Sequence, residues 1–301
     1  MDGGEKMIYT IPQKELINPG HLACQGCGGA LALRIVLKTL GENTILTFPA
    51  CCWSVIDGPF PYSAVKVPLF HTAFETAAVI ASGIKVGVKK TQDPSTNAVA
   101  WAGDGGTFDI GLQAISGAAE RNDDIFYFVY DNEAYMNTGI QRSSATPKGA
   151  WTTTTPIQFP KMERKKDLIS IIAAHGVPYI ATATVAYPED LTKKLEKAKK
   201  IKGFKFFHIM APCPPGWKTN PQETIRISKM IVENKIFPLF EIENGEKYTI
   251  NMPNPKKEKN ILVNEYILKQ GRFRHLKEED IKEIQEFTDK RWERLKKLAE
   301  V

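Results

Sequence analysis

The chain has 301 residues, 43% of them hydrophobic, and a formal net charge of +6, so it is long enough to bury a substantial core. The charge is mild, and in the last third lysine and arginine alternate with glutamate instead of forming the concentrated basic face that nucleic-acid binding requires. No apolar run reaches the roughly eighteen residues of a membrane span, and residues 1–15 lack a signal-peptide core, so we expect a cytoplasmic protein.

Apolar spacing predicts the elements of the first hundred residues. Residues 28–41 have helical spacing and end at Gly41, a favourable helix stop. Residues 43–51 are predicted to form a short buried strand. Residues 71–90 are predicted to form a mostly apolar helix that is rich in small residues.

The middle of the chain favours a parallel sheet. The apolar runs 97–103 and 125–132 are continuous rather than alternating, which is typical of central strands covered on both faces. A strand, a helix and another strand follow at 176–185, 188–201 and 205–213. The sequence therefore predicts an α/β fold with a doubly wound, mostly parallel sheet.

After two consecutive prolines the character of the sequence changes. Residues 223–261 are predicted to form a helix followed by a β-hairpin, and residues 277–300 a charged amphipathic helix. Because no internal repeat or clean linker is found, we expect a single domain over 1–301. Within it, residues from about 218 to 301 form a short C-terminal extension packed on the core or on a partner subunit.

A carboxylate and an amide follow the two central strands. The first strand ends in a glycine-rich turn formed by Gly103, Asp104, Gly105 and Gly106, and the second ends at Asn132. In an open parallel sheet, ligands bind outside the carboxyl ends of the strands, and the glycine amides continuing into a helix from Thr107 form an anion site. Asp104 would repel a bare phosphate unless a cation such as Mg²⁺ lay between them. The alternative is a glycine-rich turn with a helix-capping aspartate.

The cysteines form a second constellation. Five occur, at Cys24, Cys27, Cys51, Cys52 and Cys213. In a reducing compartment a Cys-x-x-Cys pair indicates a metal or redox site, and four thiolates drawn from strand ends and loops favour an iron–sulfur cluster. Structural zinc usually uses two compact pairs, which are not present here, but zinc and unligated thiols stay as alternatives.

Several strings resemble one enzyme family. Gly-Asp-Gly, then 26 residues (106–131), then Asn132 is similar to the diphosphate-binding motif of thiamine diphosphate enzymes, although that motif usually closes with Asn-Asn and this chain has Asp131-Asn132. Together with "CQGCG", "HTAFETAA", "YMNTGIQRSSATP", "APCPPGW" and "FPLFEIENGEKY", it resembles the β subunit of pyruvate:ferredoxin oxidoreductase and its 2-oxoacid relatives. The resemblance covers most of the chain.

The resemblance implies three cofactors and their ligands. It implies thiamine diphosphate, Mg²⁺ on Asp104, Asn132 and the Ala134 carbonyl, and a four-iron four-sulfur cluster. The implied cluster ligands are Cys24, Cys27, Cys52 and Cys213, with Cys52 preferred over Cys51 because ungapped counting from Cys27 reaches it. The further cofactor-binding positions are Gly103, Gly105, Gly106, Thr107 and Thr138. Asn137 falls on the position of the catalytic side chain near the substrate and the thiazolium.

The implied activity is the oxidative decarboxylation of pyruvate with coenzyme A to acetyl-CoA and CO₂, with electrons passing through the cluster to ferredoxin. The alternatives are the same chemistry on 2-oxoisovalerate, 2-oxoglutarate or oxalate, or a zinc-stabilised, non-catalytic assembly subunit. Since no second sheet of comparable length is predicted, an α subunit that supplies the pyrimidine-binding domain is implied. Ferredoxin-like and coenzyme A-related subunits are implied as further partners.

Overall fold

The computed structural model describes residues 11–91, 93–251 and 263–300. Within these residues, eight strands form one sheet. The strands are β1 Thr44–Pro49, β2 Leu69–Thr72, β3 Asn97–Gly103, β4 Phe126–Asp131, β5 Tyr179–Thr184, β6 Lys205–Met210, β7 Phe240–Glu243 and β8 Lys247–Ile250. Their order across the sheet is β2-β1-β3-β4-β6-β5-β7-β8.

The first six strands in this order pair in parallel, while β7 pairs antiparallel with β5 and β8 antiparallel with β7. The chain passes outward from β1 to β2 and then returns to β3 and β4 on the other side of β1. A reversal of this kind leaves a crevice at the carboxyl ends of the central strands. The predicted mostly parallel, doubly wound sheet is confirmed.

Helices cover both faces of the sheet. They are α1 Gly28–Leu40, α2 Cys52–Ile56, α3 Ala77–Thr91, α4 Leu112–Glu120, α5 Leu168–Ala173, α6 Pro188–Ala198, α7 Pro214–Trp217, α8 Thr224–Glu233, α9 Val263–Leu268 and α10 Glu278–Ala299. α1 and α6 bury their apolar side chains with Val99 and Phe128 on one face. α3, α4, α5 and α10 pack with Ala100 and Tyr127 on the other. This alternation along each strand produces two buried layers, as the continuous apolar runs predict.

The C-terminal extension packs on this core. Its hairpin, β7 and β8, continues the sheet beyond β5. Its helices α8 and α9 and the 3₁₀ turn Gly271–Phe273 form a third apolar cluster around Trp217 and Ile231. α10 lies against β8 and contributes Leu295 to the core.

The predicted helix over 71–90 is wrong at its start. Residues 69–72 form the edge strand β2, with His71 paired to Phe48 of β1, and α3 begins only at Ala77. A four-residue strand that is half exposed leaves too short a pattern to be recognised. The described part of the chain contains no helix that is both long and apolar enough to cross a membrane.

Candidate active site

Four neighbouring strands end at the same edge of the sheet. The segments that follow β1, β3, β4 and β6 begin with Ala50, Asp104, Asn132 and Ala211. These strands are adjacent in the order β1-β3-β4-β6, so the segments meet at one place. The N-terminus of α1 joins them because the amide of Gly28 donates to the Pro212 carbonyl at 3.0 Å.

The side chains of Asp104 and Asn132 and the carbonyl of Ala134 converge at the ends of β3 and β4. The amide nitrogen of Asn132 donates to Oδ1 of Asp104 at 2.8 Å and to the carbonyl oxygen of Ala134 at 2.9 Å. A cation at this place would instead be bound by the amide oxygen of Asn132, together with the oxygens of Asp104 and Ala134.

The spacing of these oxygens fits an octahedral cation. Mg²⁺ takes oxygen ligands at about 2.0–2.1 Å, which places adjacent ligands on an octahedron about 3 Å apart. The distances from Asn132 to Asp104 and Ala134 are close to that edge length, and they are also ordinary hydrogen-bond distances. The chemistry of the predicted ligand set, a carboxylate, an amide and a carbonyl that can each offer an oxygen, fits Mg²⁺.

Asp104 is buried, with 1% of its surface exposed. Burial and the negative charge of Asp131 raise the pKa of the Asp104 carboxyl group well above the usual value. The hydroxyl of Ser143, which donates to Oδ2 of Asp104 at 2.6 Å, acts in the opposite direction and lowers it. A bound divalent cation would reverse this effect, because positive charge favours the carboxylate.

The glycine turn leaves no room for side chains. A Cβ on Gly105 would lie 2.3 Å from Cε1 of Tyr135, and one on Gly106 would lie 3.1 Å from Cε2 of Phe74. The turn opens directly into the π-helical segment Gly105–Ile110, whose first amides have no partner within the helix. Glycine is therefore required at both positions by the rings packed on the turn, and the anion site stays a prediction.

A cavity of about 300 Å³ opens beside the turn. Its lining includes Asp104, Asn132 and Ala134 and, at its walls, Phe74, Tyr135 and Met136. Among the predicted cofactor residues, Gly103, Gly105, Gly106 and Thr138 line it. Thr107 does not: its hydroxyl donates to the Gly103 carbonyl at 2.7 Å, so its side chain stabilises the turn.

Cys24, Cys27, Cys52 and Cys213 are neighbours. The Cys52 thiol is close enough to Cys213 and Cys27 for their charges to raise its pKa. The charges of Cys27 and Cys24 raise the pKa of Cys213 in the same way. All are free thiols. Burial raises the pKa of Cys213 to about 12 and raises the pKa of Cys27 and Cys52 above the usual value. Such thiols stay protonated at neutral pH unless a metal displaces the protons.

Cys51 and Cys52 have partly different neighbours. The sulfur of Cys51 is hydrogen-bonded to the hydroxyl of Tyr130, and its amide donates to Oγ of Ser54 at 3.3 Å. Cys52 has Cys51, Cys213 and Cys27 among the charges that act on it, and both cysteines line the cavity beside the turn. The choice of Cys52 over Cys51 as a cluster ligand stays a prediction.

Residues 55–209 match the family described as "Thiamine pyrophosphate enzyme, C-terminal TPP binding domain". The chain is 54% identical over 304 residues to the ketoisovalerate oxidoreductase subunit VorB of Pyrococcus furiosus, covering 98% of this chain and 97% of that protein. It is 48% identical over 295 residues to the pyruvate synthase subunit PorB of Methanocaldococcus jannaschii, covering 95% of this chain and 98% of that protein. The chain belongs to the 2-oxoacid:ferredoxin oxidoreductase β subunits.

A solved structure supports this family. The chain resembles the 2-oxoglutarate:ferredoxin oxidoreductase from Magnetococcus marinus with a TM-score of 0.58 and 25% identity, over 69% of this chain and 70% of that one. The predicted family and fold class are confirmed. A β subunit of this kind is part of an oxidoreductase that needs partner subunits, and its domain type binds thiamine diphosphate.

In this β subunit, the predicted catalytic residue Asn137 lies at the exposed rim of the cavity. Thr138 follows it there, and its hydroxyl donates to Oε1 of Gln141 at 2.5 Å. Asn137 is therefore accessible from outside this subunit.

Sequence reasoning missed a buried network behind the cation ligands. Asp131 and Glu133 flank Asn132, and their carboxylates bind side chains from three distant segments: Lys165, His208 and Arg272. The signal was present in "YDNE", which places two acids at the end of a wholly buried strand, where charges require partners. A second cavity, of about 280 Å³, lies on the far side of this network between the core and α10.

Proposed function

We propose that this β subunit binds the diphosphate end of thiamine diphosphate through Mg²⁺ and carries a four-iron four-sulfur cluster beside it. Its reaction would be the oxidative decarboxylation of a 2-oxoacid with coenzyme A, with electrons leaving through the cluster to ferredoxin. The observation that carries the proposal is the convergence of Asp104, Asn132 and the Ala134 carbonyl in a cavity that Cys51 and Cys52 also line.

Different groups of this chain would bind the diphosphate and the cation. The amides of Gly105 and Gly106 would bind the diphosphate, while Asp104 and Asn132 would hold the cation that neutralises it. When bound, thiamine diphosphate supplies the electron sink for decarboxylation. Asn137 at the rim would orient the substrate.

The arrangement of the cysteines favours a cluster over zinc. The cysteines are scattered along the chain, and among Cys24, Cys27, Cys52 and Cys213 only Cys24 and Cys27 form a compact pair. A single zinc ion requires its sulfur ligands on a tight tetrahedron, with Zn–S distances of about 2.3 Å. A cubane cluster binds each cysteine to a different iron, so it accepts thiolates that are neighbours but do not converge on one point.

The active complex needs a second subunit in this proposal. The described residues form one sheet, and the cavity is open at the rim that carries Asn137 and Thr138. An α subunit would close this rim and supply the pyrimidine-binding domain. Ferredoxin-like and coenzyme A-related subunits would complete the electron and acyl-transfer routes.

Pyruvate and 2-oxoisovalerate are the two candidate substrates. The resemblance of the motifs implies pyruvate, and the pyruvate synthase subunit of M. jannaschii is 48% identical to this chain. The ketoisovalerate oxidoreductase subunit of P. furiosus is 54% identical, which favours a branched substrate.

The test is ferredoxin reduction by the anaerobically purified complex. Activity should require both thiamine diphosphate and Mg²⁺, and kcat/KM for pyruvate, 2-oxoisovalerate and 2-oxoglutarate would identify the substrate. Asp104→Asn should reduce activity to background, whereas Asp289→Asn on the exposed face of α10 should not change it. Full activity of the Asp104→Asn complex, or activity without thiamine diphosphate, would refute the proposal.

A further inference from the structure

The segment that offers the Asn132 side chain and the Ala134 carbonyl is fixed through its backbone. The indole N–H of Trp217 donates to the Asn132 carbonyl at 2.7 Å, and the hydroxyl of Thr146 donates to the Glu133 carbonyl at 2.7 Å. Glu133 itself has φ +69°, a left-handed conformation that is unusual for a residue with a side chain. Such a conformation persists where the surroundings hold it in place.

The carboxylate of Glu133 is held by two cations. Lys165 Nζ donates to Oε1 at 2.9 Å, and a guanidinium nitrogen of Arg272 donates to Oε2 at 2.5 Å. Both Glu133 and Arg272 are buried, with 3% and 2% of their surfaces exposed. Lys165 is shared with Asp131, whose Oδ2 lies 2.5 Å from Nζ. Among the ion pairs of the described residues, Arg272 has Glu133 as its acid.

Arg272 reaches this position from the C-terminal extension, 139 residues beyond Glu133. Its guanidinium lies 4.1 Å from the centre of the Trp217 ring, and its Nε donates to Oε1 of Gln270 at 2.9 Å. Its carbonyl accepts from the Trp151 amide at 2.9 Å. Arg272 therefore contacts two side chains that fix the segment 132–134. One is Glu133, which lies within the segment, and the other is Trp217, which donates to its backbone.

Trp217 also connects this segment to a cysteine. It ends α7, and its amide donates to the Cys213 carbonyl at 2.8 Å. α7 packs tightly against the loop that follows the cation ligands, because a Cβ on Gly216 would lie 2.1 Å from Sδ of Met136. The stack of Arg272 on Trp217 thus lies between the cation ligands and the Cys213 segment.

We propose that Arg272 is a positioning residue for the cation and diphosphate site, acting through Glu133 and Trp217. The C-terminal extension is then part of the active-site scaffold and not only a cover for the core. The inference rests on the proposed function, because it assumes that the Asp104–Asn132–Ala134 oxygens bind Mg²⁺. Groups that orient metal ligands from behind typically change metal affinity by about 10–100-fold when removed.

The experiment compares Arg272→Met and Arg272→Lys with Arg274→Met in the full chain, purified with its partner subunits. Arg274 is an exposed arginine adjacent to the same turn, so it controls for the loss of one positive charge. Mg²⁺ is titrated in the presence of thiamine diphosphate, and thermal unfolding is recorded with and without both. We expect the Mg²⁺ Kd to rise by about 10–100-fold in Arg272→Met and to be unchanged in Arg274→Met.

The ligand-induced shift in Tm separates positioning from general stability. A merely structural role for Arg272 would lower Tm equally with and without ligands, whereas a positioning role reduces the shift that Mg²⁺ and thiamine diphosphate produce. Arg272→Lys keeps a charge for Glu133 but loses the planar stack on Trp217, so it should weaken Mg²⁺ binding even if Arg272→Met does not fold. Wild-type Mg²⁺ affinity in Arg272→Lys, or in a folded Arg272→Met, would overturn the inference. Failure of the wild type to bind Mg²⁺ and thiamine diphosphate would instead overturn the proposed function and the inference with it.

Discussion

Replacing Gly105 by alanine should both destabilise the fold and obstruct the cavity. The new Cβ would lie 2.3 Å from Cε1 and 2.4 Å from Cδ1 of Tyr135, whereas unbonded carbons normally stay about 3.5–4.0 Å apart. The ring must therefore move by more than about 1 Å. It is held by a hydrogen bond from its hydroxyl to Oδ2 of Asp109 at 2.6 Å and by backbone pairing with Gln141.

The expected loss follows from these contacts. Forcing an extra methyl group into a packed site costs about 1–3 kcal/mol, and breaking the bond from Tyr135 to the Asp109 carboxylate adds about 1.5–3 kcal/mol if the ring swings away. We expect the free energy of unfolding to fall by about 2.5–6 kcal/mol in Gly105→Ala. A displaced ring would enter the cavity that Tyr135 lines, so thiamine diphosphate binding should also weaken.

The assay is urea unfolding of the cofactor-free chain, followed by tryptophan fluorescence. Gly117→Ala is the matched control, because the nearest atom to its Cβ is the flexible end of Arg121 at 3.1 Å and a helical alanine is favourable. Tyr135→Ala should partly rescue Gly105→Ala, with a coupling of about 0.5–3 kcal/mol in a double-mutant cycle. A loss below about 0.5 kcal/mol, or strictly additive effects, would refute the steric argument.

Three further changes test the cation segment and the rim. Burial opposes ionisation of Asp131, but the Lys165 ammonium holds the pKa of this carboxyl group below the usual value. The stabilising contribution of the carboxylate is therefore complete above about pH 5 and is lost as pH falls through the folded pKa, which lies below about 3.9. Asp131→Asn should therefore lower the free energy of unfolding by about 3 kcal/mol at pH 7 and by about 1 kcal/mol less at pH 3, and an equal loss at both pH values would contradict this. Trp217→Phe removes the indole donor to the buried Asn132 carbonyl and should cost about 1–3 kcal/mol in urea unfolding. Asn137→Ala should lower kcat for ferredoxin reduction without changing Tm, because the residue is exposed at the rim, and an unchanged kcat would remove it from the catalytic machinery.

The central sheet was predictable because its strands are buried on both faces. Continuous apolar runs such as 97–103 can be recognised in the sequence, and they favour the parallel pairing of β3 with β4. The meeting of Asp104 and Asn132 could be predicted for the same reason, since both come directly after neighbouring strands. The edge strand β2 and the short helices α2, α5 and α7 were missed because four to six residues do not establish a period.

The network behind the site could not be predicted from the sequence. Arg272 and Lys165 lie in irregular segments whose paths depend on tertiary packing, and nothing in their local sequence indicates that they meet Glu133. Cys51 and Cys52 are a similar case. Their sequence neighbours are shared, and only the orientation of the α2 N-terminus directs Cys51 to Tyr130 and Cys52 towards the other cysteines.

The most direct test of the account is the iron, acid-labile sulfide and zinc content of the anaerobically purified complex, measured for the wild type, Cys52→Ser and Cys51→Ser together with the visible spectrum. We expect Cys52→Ser to lose about four irons and four sulfides relative to the wild type, and Cys51→Ser to keep them. The visible absorption assigned to these irons should bleach when a 2-oxoacid and coenzyme A are added. One zinc ion without sulfide, or metal content that is the same in all three proteins, would contradict a cluster at Cys24, Cys27, Cys52 and Cys213.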